Sequence, residues 1–297
     1  MSETYQRLIG GFCAAGVMAL SQVAGAAIVA GGDGTQNTTS AGTVSQFDNV
    51  GKLNGASGIY LGDGVVLTAA HVGAGTIVLG GQSFTDVGGS MVRLHDPVFT
   101  GNLTDLVLFR INGAPALPDL SIASVTPAAG ASVVMVGNGR DRAAAKTFYD
   151  VVGTTWTETT DEPNAERSGY KWLGTQTIRW ALNTTENGMP VARDAGFGDV
   201  RSLVTDFDDA TNQGGAAAGD SGGALFDAGG TLVGMMHAID MLEGQPGSTA
   251  IFGNPTFAAD IASYREQIIA YIPEPSAAML LAGACAVTTM RRRRYPR

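Results

Sequence analysis

Residues 219–226 read "GDSGGALF". Ser221 follows an aspartate, is flanked by glycines, and leads into an apolar run. It is either a nucleophile held on a tight turn or part of one more glycine-rich loop. Glycine supplies 42 of the 297 residues, so the pattern G-x-S-x-G arises cheaply. What decides is which other groups the chain supplies, and in what order.

Two further segments bear on Ser221. "GVVLTAAHV" (64–72) sets His71 at the end of an apolar strand, behind two small residues, where an imidazole can face a cleft. Alone, such a histidine reads as a satisfied core residue. "GNLTDLVLFRI" (101–111) sets Asp105 at the head of an otherwise apolar strand. A carboxylate there is costly to desolvate unless it is paired, and a histidine N–H is a fitting partner. The bland reading is a strand-capping aspartate at the surface. Glycines around Ser221 permit positive φ and let a substrate carbonyl come close. The N–H groups of Gly219 and Ser221 are then the natural donors to an oxyanion. A serine hydroxyl that attacks needs a base, and the base needs a carboxylate to fix its tautomer.

The order His71, Asp105, Ser221 is informative. The nucleophile elbow of α/β hydrolases shares G-x-S-x-G but runs serine, acid, histidine. After Ser221 the only histidine is His237, sixteen residues on, with Asp227 the sole acid between them. That interval is too short for the sheet and helices such a fold requires.

The rest of the chain agrees with an all-β body. Short apolar runs broken by Gly, Asn and Asp predict strands at 57–62, 64–70, 76–81, 90–94, 105–111, 132–139, 170–180, 224–227, 231–239 and 248–254. Strand–helix–strand alternation is missing, which argues against a parallel α/β sheet. "TFAADIASYREQIIAYI" (256–272) carries apolar residues at helical spacing and predicts one helix. "TETTDEPNAERSG" (157–169) reads as an exposed loop. The net charge of −9 speaks against a nucleic-acid partner.

Both ends read as addresses. Arg7 precedes "LIGGFCAAGVMAL", an apolar stretch short of the ~20 residues that span a bilayer, followed by small residues at "VAGAA". Residues 1–27 are therefore expected to be a signal peptide, with an uncleaved anchor as the alternative. At the other end, Pro273-Glu274-Pro275 is followed by an apolar run and then Arg291 to Arg294. Residues 273–297 resemble the PEP-CTERM sorting signal of Gram-negative bacteria, which implies an exosortase-type processing enzyme as partner. A plain tail anchor is the alternative, and in either case the membrane is met only through this C-terminal segment. The expected location is the cell envelope surface or the medium. The only cysteines, Cys13 and Cys285, lie in these end segments, so the body is expected to hold together without a disulfide.

Taken together, "LTAAHV", "TDLVLFRI" and "GDSGGALF" resemble the three signature segments of the trypsin/chymotrypsin-like serine peptidases. "PAAGASVVMVGNGR" (127–140) resembles the crossover into that family's second barrel. "TLVGMMHAI" (231–239) resembles its strand after the nucleophile, and 256–272 its C-terminal helix. The resemblance implies two six-stranded antiparallel β-barrels, over 28–120 and 121–272, with the site between them and the helix at the end. It implies His71 as general base and acid, Asp105 as its orienter, Ser221 as nucleophile, and Gly219 and Ser221 N–H as the oxyanion hole. The expected function is a secreted endopeptidase acting on protein or peptide substrates, with no cofactor. The alternative is a catalytically silent surface binding protein on the same fold. The cysteines that usually staple the loops beside the histidine and the nucleophile are absent. The His71–Asp105 interval is short for the family, which leaves Asp96 in "LHDP" as a weaker candidate orienter.

Four finer expectations follow. Gly215 stands where trypsin-like members carry a pocket-floor aspartate, and with Ala216 it suggests a pocket for small or apolar side chains. His237 borders that pocket by the same resemblance, either favouring an acidic residue or simply packing. "IVAGG" (28–32) resembles the mature start of the animal enzymes, implying a freed Ile28 amino group paired with Asp220; ordinary small residues near a signal cleavage site are the alternative. Asp206, Asp208 and Asp209 read as a solvated acidic loop, with calcium binding as the alternative, and no zinc spacing is present.

Overall fold

The computed structural model describes residues 27–40 and 46–272, so both proposed address segments, with Cys13 and Cys285, lie outside the described residues. A short strand β1 (Ile28–Val29) comes first. Seven strands then form one antiparallel sheet: β2 (Val50–Leu53), β3 (Ala56–Gly62), β4 (Val65–Ala69), β5 (Ile77–Leu79), β6 (Gln82–Phe84), β7 (Val92–His95) and β8 (Leu103–Arg110). Asn54-Gly55 and Asp63-Gly64 make the first two hairpins, with positive φ at both central residues. That geometry matches the twist of the flanking strands and selects Asn, Asp and Gly.

The spatial order is β6-β5-β2-β3-β4-β8-β7. The chain leaving β6 also bridges the far end of β8 at Asp86 and Ile111, and β7 pairs with the near end of β8. β6 and β7 thus act as one strand broken near Gly88-Gly89, and six strands pair in a ring.

The second half begins at β9 (Ser132–Gly137). An insertion follows: β10 (Arg140–Arg142), β11 (Thr147–Val152), β12 (Thr155–Thr159) and β13 (Arg167–Gln176). The chain continues through β14 (Arg179–Thr184), β15 (Val191–Asp194), β16 (Asp199–Asp206), β17 (Gly214–Gly215), β18 (Ala224–Phe226), β19 (Leu232–Ile239), β20 (Thr249–Ile251) and β21 (Pro255–Asp260), ending in α1 (Ile261–Tyr271). The second main sheet runs β14-β9-β18-β19-β21-β16-β15. Glu186 N–H, just past β14, donates to Val204 O in β16 and draws that ring of six together at 2.8 Å. The two-barrel antiparallel architecture expected from the sequence is therefore present, with β15 added at the second ring's edge.

Strands such as β3 and β4 are buried on both faces because each sheet serves two cores. Leu53, Tyr60, Val66, Ile77 and Phe109 fill one face of the first sheet. Val133, Met135, Leu225, Val233 and Met236 fill one face of the second. The opposite faces meet in a third core, where Ile59, Leu67, Leu106 and Leu108 pack with Val134, Val136, Phe226 and Met235. Helix α1 contributes Ile261, Tyr264 and Ile268 to this seam. It also clasps the first sheet, where the Gln267 amide bonds both the N–H and the carbonyl of His95 at 2.9 Å.

Two local expectations are corrected. Residues 256–260 are strand, not helix: Phe257 and Ala258 pair with both β16 and β19, and central ladder pairing overrides the helical spacing. Residues 157–169 are not a plain loop, because they take in the end of β12 and the start of β13 in the inserted five-stranded sheet. No helix among the described residues is long and apolar enough to cross a membrane.

Because Ile268 is fully buried where the helix closes the seam, Ile268→Ala should cost about 2–5 kcal/mol. Urea unfolding should show a lower midpoint at unchanged m.

Candidate functional site

His71 follows β4 after Ala69 and Ala70, where a turn closes with Gly73 N–H donating to Ala69 O. Asp105, near the start of β8, is fully buried. Its Oδ1 accepts the backbone N–H of His71 at 3.0 Å, and its Oδ2 lies 2.7 Å from His71 Nδ1. A carboxylate can only accept, so Nδ1 carries a proton, and in the neutral ring the lone pair is on Nε2. The His71 side chain is 25% exposed, so the ring can be reached from solvent. Asp96 is not the orienter. It accepts the N–H groups of Val98 and Phe99 and faces Arg201 Nε at 3.5 Å. Burial raises its carboxyl, but those two N–H groups and the guanidinium outweigh burial and hold it below the usual value.

Ser221 lies on the loop before β18. Gly219 has φ +101°, a conformation side-chain-bearing residues rarely adopt. Neither Gly219 N–H nor Ser221 N–H donates to an acceptor among the described residues, whereas Asp220, Gly222 and Gly223 N–H are all used. The two free donors are those named from sequence for an oxyanion. No hydrogen bond joins Ser221 Oγ to the His71 ring; nucleophile–base pairs of this type are often long without substrate.

The loop is fastened to the first sheet by Ser57, a residue the sequence reading passed over. Ser57 Oγ donates to Gly219 O at 2.8 Å and accepts from Asn138 N–H at 2.8 Å. Ser57 N–H donates to Ser221 O at 3.0 Å, and Ser57 O accepts from Thr68 Oγ1 at 2.8 Å, three residues before His71. The only signal available in sequence was a hydroxyl inside an apolar strand.

Asp220 points inward. Its fully buried carboxyl accepts N–H groups from Ala217 at 2.7 Å, Gly139 at 2.9 Å and Ala27 at 3.4 Å. A Cβ at Gly139 would stand 2.2 Å from Asp220 Oδ2, so glycine is required there. Burial pushes the carboxyl up to about 7, against the pull of the three N–H groups. The nitrogen that reaches Asp220 is that of Ala27; Ile28 instead pairs with Gly215 across β1 and β17. The N-terminal arm is further held by Arg142, whose Nε donates to Val29 O at 2.7 Å.

Gly215 is buried, and a Cβ there would meet Phe207 at 2.8 Å. Ala216 N–H donates to Thr256 Oγ1 at 3.0 Å, and no charged side chain stands in the 214–217 segment. His237 does not line an open pocket. It is 3% exposed, and its Nε2 lies 2.9 Å from Ser202 Oγ. Burial lowers it to about 4, with Asp105 pulling the other way, so it is neutral at pH 7 and offers no cation to an acidic substrate residue. Of the three loop aspartates, two have partners of their own and the third feels its neighbour's charge. Asp209 pairs with Lys146, Asp208 accepts from Gln213, and burial and Asp208 raise the Asp206 carboxyl. No group of three metal-ligating side chains occurs among the described residues.

The family model Trypsin matches residues 29–268, and the chain belongs to that family. No curated protein is matched. Among solved structures, a mutant of human heparin binding protein is similar at 18% identity and TM-score 0.50, over 80% of this chain and 96% of that one. The Rv3671c protease of M. tuberculosis in its active form is similar at 16% identity and TM-score 0.48, over 78% of this chain and 86% of that one.

Two outcomes are expected. Ser57→Ala leaves Gly219 O and Asn138 N–H without partners and should cost roughly 1–3 kcal/mol in chemical denaturation. For Asp220, a folded value of about 7 against 3.8 unfolded means the folded state is favoured while the group stays protonated. That contribution is complete below about 3.8 and is lost as pH rises to about 7. The loss is of order 4 kcal/mol. Unfolding free energies measured across this window should fall with pH in a chain extending upstream of Ala27, and Asp220→Asn should flatten the slope.

Proposed function

We propose that the protein is a serine endopeptidase that cleaves by acyl transfer. The observation that carries the reading is the His71–Asp105 pair, a ring N–H bonded at 2.7 Å to a fully buried carboxylate, with Ser221 on the loop fastened beside it. In the proposed mechanism, His71 Nε2 takes the proton from Ser221 Oγ as the hydroxyl attacks the scissile carbonyl. Gly219 and Ser221 N–H stabilise the negative charge on the tetrahedral intermediate. The imidazolium then gives its proton to the leaving amine, and water repeats the sequence to release the acid. Asp105 holds the tautomer and the cation throughout. Substrates with a small or apolar side chain at the attacked residue fit the uncharged 214–217 segment.

Export through the N-terminal segment, and processing at Pro273-Glu274-Pro275 by an exosortase-type enzyme, remain part of this proposal. A chain beginning at Ala27 would set an α-ammonium against Asp220, compensating that buried carboxylate and ordering the nucleophile loop. The silent-binder alternative draws only on the fold. One structural neighbour is named a heparin binding protein, but a net charge of −9 is a poor match for a polyanion.

A fluorophosphonate probe tests the central reading: the wild-type protein should be labelled and Ser221→Ala should not. A folded wild-type protein that takes no label would reject it. Protein starting at Ala27 should be more active than protein extended upstream, because its α-ammonium compensates the buried Asp220 carboxylate behind the nucleophile loop. Equal activities would remove the N-terminal pairing from the scheme. Cleavage strictly after Arg or Lys would overturn the pocket assignment.

A further inference from the structure

Gly219 carries one of the two free N–H groups, yet it has no side chain to limit its own φ and ψ. It sits at φ +101°. A donor to an oxyanion is effective only when it is aimed before the charge develops. The restraint on Gly219 must therefore come from its neighbours. Ser57 Oγ holds its carbonyl at 2.8 Å. Against its α-carbon lies the side-chain amide of Gln176.

Gln176 is the last residue of β13 and pairs with Arg140 of β10. Arg140 Nη1 also donates to Gly174 O at 2.7 Å, so this end of the strand is tied down. Gln176 Nε2 donates to Gly55 O, in the β2–β3 turn, at 2.8 Å and to Asn138 O, just past β9, at 3.0 Å. Both partners are carbonyls, which only accept, so the amide nitrogen faces them and both its hydrogens are used. A Cβ at Gly219 would stand 2.1 Å from that nitrogen and 2.7 Å from Asn138 O. The amide thus fills the space a side chain at 219 would need. Asn138 is fixed in turn, its N–H on Ser57 Oγ at 2.8 Å and its Nδ2 on Ala56 O at 3.2 Å. One amide therefore joins a turn of the first sheet, the end of a strand of the second, and the glycine of the nucleophile loop.

We infer that Gln176 is a positioning residue for the oxyanion donor: its amide, bonded to Gly55 O and Asn138 O, closes one face of Gly219 and keeps the Gly219 N–H aimed into the site. This rests on the peptidase reading above. Both hydrogens of the amide are committed to protein carbonyls, so Gln176 acts through Gly219 and is not itself a donor to the oxyanion. Truncating it leaves two carbonyls to water and opens the space beside the Gly219 α-carbon. The glycine is then free to sample orientations in which its N–H no longer meets the attacked carbonyl. The donor is loosened but not deleted, so the loss falls short of the ~10²–10³ that follows outright removal.

The test reads the second-order rate of labelling by a fluorophosphonate, whose phosphoryl oxygen takes up negative charge in the same place, beside the kinetics of succinyl-Ala-Ala-Ala-p-nitroanilide. Gln176→Ala should slow labelling by about tenfold and lower kcat by a like factor at unchanged KM, because the donor acts on the transition state alone. Gln176→Glu keeps the size of the side chain but offers the two carbonyls no donor at neutral pH, and should do the same. The low-field proton resonance of His71 Nδ1–H should persist in both variants, since Asp105 and not Gln176 holds the base. An unchanged labelling rate in the variants, with wild type labelled, rejects the positioning role and leaves the peptidase reading intact. A raised KM at constant kcat would make Gln176 a substrate contact, and loss of the His71 resonance would trace the effect to the base; either result overturns the inference. If Gln176→Ala shows no cooperative unfolding, Gln176→Glu decides alone. A wild-type protein without fluorophosphonate labelling rejects both readings.

Discussion

The contact on which the site depends is Ser57 against the nucleophile loop. Gly219 and Ser221 come from the second half of the chain, His71 and Asp105 from the first. Burial in the seam core brings the halves together, but hydrophobic contact is non-directional and sets no register at the level of single atoms. Ser57 supplies the direction. Its hydroxyl and backbone bond Gly219 O, Ser221 O and Asn138 N–H across the boundary, while its carbonyl is held by Thr68 on the strand that leads to His71. The loop is thus indexed to His71 through four hydrogen bonds, in a body whose described residues contain no cysteine.

The site also rests on two fully buried carboxylates with different surroundings. Asp105 has a ring N–H and a backbone N–H, both from His71, so its charge is spent on holding one side chain in one tautomer. Asp220 has only backbone N–H groups, which do not offset its burial, and its carboxyl rises toward neutrality. Its third donor comes from Ala27, at the start of the arm that pairs with Gly214 and Gly215. Exposed aspartates serve a third purpose: Asp194 organises a turn through its side chain, as the buried Asp96 also does. Such turns replace covalent staples in bracing the loops beside His71.

Much of this was legible in the chain. Strand positions were readable because Asn-Gly and Asp-Gly turns punctuate β-branched runs, and the two-residue loops fix hairpin register locally. The helix was overextended because "TFAAD" satisfies a helical spacing and a strand equally; only its place between β16 and β19 decides. The inserted hairpin β11–β12 was partly hidden by its polar, half-exposed faces, which carry little alternation. Ser57 was invisible as a site residue because nothing in its neighbourhood along the chain marks it. It acquires meaning from Gly219, a partner 162 positions away.

What the sequence determined by itself was the chemistry available: a histidine after a buried strand, a carboxylate at the head of another, a serine between glycines, and an order incompatible with the rival fold. These follow from local patterns, since residue type and spacing suffice to say which group can accept, donate or attack. What only the tertiary structure decided was which atoms meet. Asp105 rather than Asp96 faces the imidazole, the backbone N–H of Ala27 reaches Asp220 in the uncut chain, and His237 turns to Ser202. Each of these is a choice among partners that local spacing leaves nearly equivalent. Such a choice is made by the angle at which two sheets pack and by which buried polar atom is left needing a partner, and neither is written in any single segment.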